Sequence, residues 1–172
     1  MPAYAETMPN QSTSAQWPLR FKRHAFDAFC YNTQRCSVLY NGMNVTAMDV
    51  DQPSAAPPST NYRERWPRAS VLGIQNFPPP AQVRWTALDG TQHQAQVDIA
   101  ALFGDELVRH HVSRDDYAEG SFGGSVDIVL EVNDHTLSVF TRAFLATKQE
   151  QIPGNPRSHF RNDLIEAWHQ DY

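Results

Sequence analysis

Three turn dipeptides constrain this chain most: Asn41-Gly42, Asp89-Gly90 and Asn133-Asp134. Each lies between two runs that alternate apolar and polar residues, the strongest short-range signature of a β-hairpin. Strand side chains alternate faces with a period of two, so each turn sets a register that the apolar pattern has to obey. A two-residue loop at Asn41-Gly42 pairs Tyr40 with Met43, Val38 with Val45 and Cys36 with Ala47, and all six share one face. The same loop length at Asp89-Gly90 would set Val83 and Trp85 beside Gln94 and Gln96. A three-residue loop, Leu88-Asp89-Gly90, pairs Trp85 with His93 and Val83 with Ala95 instead, joining Val83, Trp85 and Ala87 to Ala95, Val97 and Ile99. That loop calls for Gly90 in a left-handed conformation beside a bulge. At Asn133-Asp134 a two-residue loop pairs Leu130 with Leu137 and Ile128 with Val139. The opposite face carries Val129, Phe140 and Phe144, so these strands are expected to be central and covered on both sides.

A further strand is expected over 24–31, with Phe26, Ala28 and Cys30 on one face, and a short last one around 164–168. Residues 98–111 hold the one helical stretch, capped by Asp98 and ended or broken at Gly104. Residues 1–20 combine prolines with Gln, Ser and Thr, lack any period, and read as a disordered lead. Residues 21–172 then form a single β-rich domain with a long Pro-rich loop at 48–70, a length expected to be functional or disordered. The fold class that follows is all-β (or β-rich α+β), with antiparallel hairpins in a sandwich-like domain and one short helix.

The chain has 172 residues, enough for one domain with a real core, and a formal charge of −5. Nucleic acid is a poor partner for it, because no basic cluster exceeds Lys22-Arg23. No apolar run approaches the roughly 18 residues that span a bilayer, and no signal peptide is recognised at the N-terminus. Among seven histidines, the adjacent His110 and His111 diverge on a strand or a helix and make no chelating pair. They could gather with Asp115 and Asp116, but a solvated polar loop explains them; His24, His93, His135 and His159 lie in separate segments. No metal or cofactor is expected. The loop Gly120-Ser121-Phe122-Gly123-Gly124-Ser125 lacks both the GxSxG pattern and the Walker lysine, so it reads as a flexible entry to the next strand. Asp127, Glu131 and Asp134 read as exposed or edge positions on the third hairpin. No catalytic residue is assigned.

Cys30 and Cys36 are the only cysteines, spaced too widely for a CxxC pair. They are either small buried hydrophobes or a disulfide clipping two neighbouring strands. Within the Pro-rich loop, Tyr62, Arg63, Arg65, Trp66 and Arg68 are the residue types that dominate interfaces. Trp66 could alternatively fold back over an open sheet face. Asp115, Asp116 and Tyr117, in a charged aromatic loop, form a second candidate contact.

The succession Cys36-Ser37-Val38-Leu39-Tyr40-Asn41, Asn76-Phe77-Pro78-Pro79-Pro80, Asp105-Glu106-Leu107-Val108-Arg109-His110, Leu130-Glu131-Val132-Asn133-Asp134, Ile152-Pro153-Gly154-Asn155 and Phe160-Arg161-Asn162-Asp163-Leu164-Ile165 resembles the immunity proteins of type VI secretion antibacterial phospholipases. The resemblance implies a periplasmic, usually lipid-anchored protein that binds its cognate lipase and blocks the active site. It also implies a bond between Cys30 and Cys36, since the periplasm is oxidising. Such proteins begin with a signal peptide and a lipidated cysteine; the resemblance therefore makes Met1 an engineered start, with the membrane reached only through an anchor missing from this chain. An alternative is a non-catalytic β-sandwich module that holds a sugar or lipid near Trp66 or Trp85, marked by a deep apolar pocket. A small enzyme with a dispersed site would need acidic or histidine side chains gathered in one cleft.

Overall fold

A computed structural model describes residues 17–46 and 51–172. Among the described residues the fold is all-β with one short α-helix and one 3-10 turn, and two sheets pack face to face. The first sheet has the order β11-β8-β7-β1-β4, from Leu164–Asp171 (β11), Thr136–Arg142 (β8), Ser125–Asn133 (β7), Arg23–Tyr31 (β1) and Val71–Gln75 (β4). The second has the order β3-β2-β5-β6, from Met43–Asn44 (β3), Thr33–Tyr40 (β2), Ala81–Ala87 (β5) and Gln92–Val97 (β6). Leu145–Ala146 (β9) and Phe160–Arg161 (β10) form a small third ladder. The core between the sheets takes Phe26, Ile128, Leu130 and Val139 from one side and Val38, Tyr40, Val83 and Trp85 from the other. Most pairings are antiparallel. The exception is β1 with β7, which run parallel over nine registered positions, from Arg23 opposite Ser125 to Tyr31 opposite Asn133.

Consecutive strands part company at Asn32. β1 belongs to the first sheet and β2 to the second, and Asn32 turns the corner at φ +53°, a conformation that Asn tolerates better than most residues. Cys30 and Cys36 are joined across this corner, with Cα atoms 6.4 Å apart, so the bond staples one sheet to the other.

The three turns fare differently. At Leu88-Asp89-Gly90 the expected loop stands: Trp85 pairs with His93, Val83 with Ala95, and Gly90 has φ +87°. At Asn41-Gly42 the register holds for Tyr40 with Met43, and the Val45 N–H donates to the Val38 carbonyl at 2.8 Å. The expected shared core face fails at Met43, which is exposed, while Val45 packs against the core that holds Cys36, Val38 and Tyr40. The Thr46 hydroxyl then takes the Val38 N–H and donates to the Cys36 carbonyl, which ends the pairing after two strand residues. Ala47, expected opposite Cys36, lies outside the described residues. On its other edge β2 pairs with β5, Cys36 opposite Trp85 and Val38 opposite Val83. In the third hairpin the loop is Asp134-His135, one residue later than expected, so Leu130 pairs with Val139 and Val132 with Leu137. Each partner moves by two, an even number, so the faces are preserved.

The helix Ile99–Phe103 (α1) has Asp98 as its cap, the carboxylate accepting from the Ala101 N–H at 3.0 Å, and it ends at Gly104. The second half of 98–111 is not helical; Leu107 there bridges to Arg20. The expected lead falls mostly on residues 1–16, outside the described ones. Its last part belongs to the fold: Leu19 is buried and Trp17 packs on the core.

Candidate functional site

The outer face of the first sheet is covered by one segment, the arm formed by residues 62–70. It opens with a 3-10 turn, Tyr62–Arg65, and closes at β4. Trp66 lies over β1, β7 and β8, its ring stacked on Phe29 at 5.1 Å and edge-on to Phe140 at 5.5 Å, above Val129. Its indole N–H donates to the Tyr31 hydroxyl at 2.8 Å. Burial of the ring removes apolar area from water, and the hydroxyl supplies the partner that a buried indole N–H requires.

Three carboxylates on the covered face fasten the arm along its length. Glu131 accepts from the Tyr62 hydroxyl at 2.7 Å and from Arg63 through two nitrogens, at 2.6 and 3.3 Å. Asp127 accepts from the Ala69 N–H at 3.2 Å and pairs with Arg142 at 3.4 Å; Arg142 also donates to the Trp66 and Pro67 carbonyls. Asp27 accepts from the N–H and the hydroxyl of Ser70. Burial, reinforced by the Glu131 carboxylate, pushes the Tyr62 phenol up to about 12, and the Glu131 bond raises Arg63 above its ordinary value. Expected as exposed, Asp127 and Glu131 are in fact 5% and 1% exposed. They tolerate burial because each meets an arginine and further donors. They are no hydrolytic pair: four residues apart on one strand, they stand about 13 Å from each other.

Along the arm's free edge runs a groove of about 620 Å³, walled by Arg68, Phe122 and Phe144, with Asp127 and Arg142 at its floor. Phe144, expected under cover, is half exposed and stacks on Phe160 at 4.9 Å. The residues expected to bind a partner thus divide. Tyr62, Arg63 and Trp66 are committed to the arm's attachment. Tyr117 is buried in the core, where it bridges to Thr147, and Asp116 accepts from Gln149 and Gln151. Arg65, Arg68 and Asp115 remain exposed and make no ion pair among the described residues. Residues 115–117 do not line the groove. Phe122, Phe144 and Phe160 were not among the residues expected to bind a partner. The acidic pair left a signal, since two carboxylates inside the apolar run of β7 imply buried partners.

The histidines are less isolated than their spacing suggests. His93 stacks on Trp85 as expected, but its Nε2 also lies 2.9 Å from Nδ1 of His135, whose Nε2 donates to Asp89 at 3.0 Å. The chain of bonds ties the β5–β6 turn to the β7–β8 turn. Its inner end is an imidazole against Trp85, with no hydroxyl or thiol bonded to it among the described residues. Trp85, 2% exposed, donates its indole N–H to the Asp134 carbonyl. Neither Trp85 nor Trp66 offers a ring face to a sugar or lipid. His110 packs edge-on to Trp17 and is held below its ordinary value by burial, while His111 faces Asp163 at 3.8 Å. Among the described residues no three His, Cys, Asp or Glu side chains gather as a metal site, and no helix is long and apolar enough to cross a membrane.

Comparison with known proteins returns no family model that matches the chain, and no curated protein or solved structure similar to it.

Proposed function

We propose that this protein is an inhibitory binding partner, an immunity protein that occludes the active site of a secreted antibacterial phospholipase. The observation that carries this reading is the free edge of the arm. There Arg68 lines a groove beside the partly exposed Phe144–Phe160 stack, and neither it nor the exposed Arg65 makes an ion pair among the described residues. Aromatic and arginine side chains on a rigid support lose little entropy on docking and dominate interface energies. The arm is such a support, fastened to the sheet by Glu131, Asp127 and Asp27. Inhibition by occlusion requires shape and charge complementarity and no reactive group. The Cys30–Cys36 bond suits an oxidising compartment such as the periplasm, where the lipase would act. The resemblance in the turn and loop motifs points the same way.

Titration of this protein into the cognate phospholipase tests the reading. Stoichiometric loss of lipase activity is expected, weakened at least tenfold by Arg68→Glu combined with Phe144→Ser. Full lipase activity at excess inhibitor, with no complex on size exclusion, would overturn it.

A further inference from the structure

We propose that β6 is a self-association edge, and that two copies of the chain pair their β6 strands antiparallel about a two-fold axis through Gln94. The juxtaposition of three identical neutral side chains on one edge that no other strand covers among the described residues carries the inference. It does not depend on the lipase reading.

Open strand edges invite pairing, and proteins usually blunt them with charge, proline, bulges or brevity. The other edges of the two sheets are blunted. β3 has two residues. β4 carries Gly73 at φ +72° and a register break against β1. β11 has a register break between Glu166 and Trp168 and carries Glu166, His169 and Asp171. β6 is six residues long, in unbroken register with β5, and contains no proline, glycine, lysine or carboxylate.

The backbone phase is settled by the turn. The Ala87 N–H donates to the Thr91 carbonyl, so hydrogen-bonded pairs recur at Trp85 with His93, Val83 with Ala95 and Ala81 with Val97. The N–H and C=O groups of Gln92, Gln94 and Gln96 therefore point to the open edge. All three side chains are exposed, on the outer face of the sheet. A two-fold axis through Gln94 sets Gln94 against its own copy and Gln92 against Gln96 at both ends. Every outward N–H then meets a carbonyl, giving six backbone bonds. Every glutamine amide faces another amide, which is both donor and acceptor. No like charges meet across the seam, and on the inner face His93 stands opposite the small Ala95. A partner strand of unrelated sequence would have no need of this symmetry.

Such an interface is smaller than that of a permanent dimer, so the association is weak and visible between about 10 μM and 1 mM. Sedimentation velocity on the full chain across that range should show a concentration-dependent dimer. Amide exchange at Gln94 and Gln96 should slow as the dimer fills. Gln94→Lys places two ammonium groups at the axis and should raise the dissociation constant about tenfold or more. Gln94→Pro removes the axial N–H while leaving the ladder to β5 intact, and should act in the same direction. A chain that stays monomeric to about 1 mM, or a dimer unmoved by both substitutions, overturns the proposal.

Discussion

On the inner face of β7 and β8, Ile128, Leu130 and Val139 meet a second sheet through apolar packing that includes Tyr40 and Trp85; on the outer face of the same strands, Val129 and Phe140 are covered by a nine-residue arm held down by Glu131, Asp127 and Asp27. The two faces bury their strands about equally, but by different means. Sheet-on-sheet packing is distributed over many side chains and closes by hydrophobic burial. The arm buries one tryptophan and depends on charged groups, whose attraction has to offset their own desolvation. A face closed in this second way can carry exposed groups such as Arg68 on a short, firmly placed segment, which the interior face cannot.

The comparison breaks most visibly at the centre of the inner face. Leu130→Ala removes a fully buried side chain and should cost about 2–5 kcal/mol, read from the urea midpoint at constant slope. A loss under about 1 kcal/mol would mean that the sheets are less tightly packed than described.

On the outer face, Arg63→Ala leaves Glu131 buried with only Tyr62 as partner. A fully buried pair would cost more, but the Arg63 side chain is 39% exposed, so about 1–3 kcal/mol is expected. Combination with Glu131→Gln should recover part of that loss, because the orphaned charge goes. Additive losses in the double mutant would show that the ion pair does not fasten the arm.

The smallest effect concerns a polar group placed within the inner core. His24 is fully buried, its Nδ1–H donating to Asn76 at 2.8 Å and its Nε2 accepting from the Tyr40 hydroxyl at 3.0 Å. Burial holds His24 below its ordinary 6.5, and His110 likewise. Below that ordinary value the unfolded chain takes up a proton that the folded chain refuses, so stability falls as the pH drops and is flat above it. Thermal melts from pH 7 to pH 5 should show this decline, with a gentler slope in His24→Gln. An identical slope in the variant would remove His24 from the account.

Local pattern was legible wherever a segment's own periodicity decided the outcome. The three-residue loop at Leu88-Asp89-Gly90 follows from keeping Val83 and Trp85 with Val97, because a slip by one residue would expose half the core set. The faces of β7 and β8 were legible for the same reason, even with the turn one residue later. The extent of β3 was not: the Thr46 hydroxyl competes for the backbone of Val38, a contest that alternation does not register. Of the candidate site, Trp66 and its neighbours were found by composition, but their commitment to the arm rests on Glu131, Tyr31 and Phe29, which lie 65, 35 and 37 residues away in sequence.

By itself, then, the sequence determined that this protein is built of paired strands with a two-faced central hairpin, since turn chemistry and side-chain alternation act over a few residues. Tertiary structure alone decided that β1 and β7 run parallel, that β1 and β2 part at Asn32, and that Asp127 and Glu131 are anchors within the fold. Those outcomes depend on which distant segments meet, and burial gives a carboxylate its role only once the arginine that neutralises it has arrived.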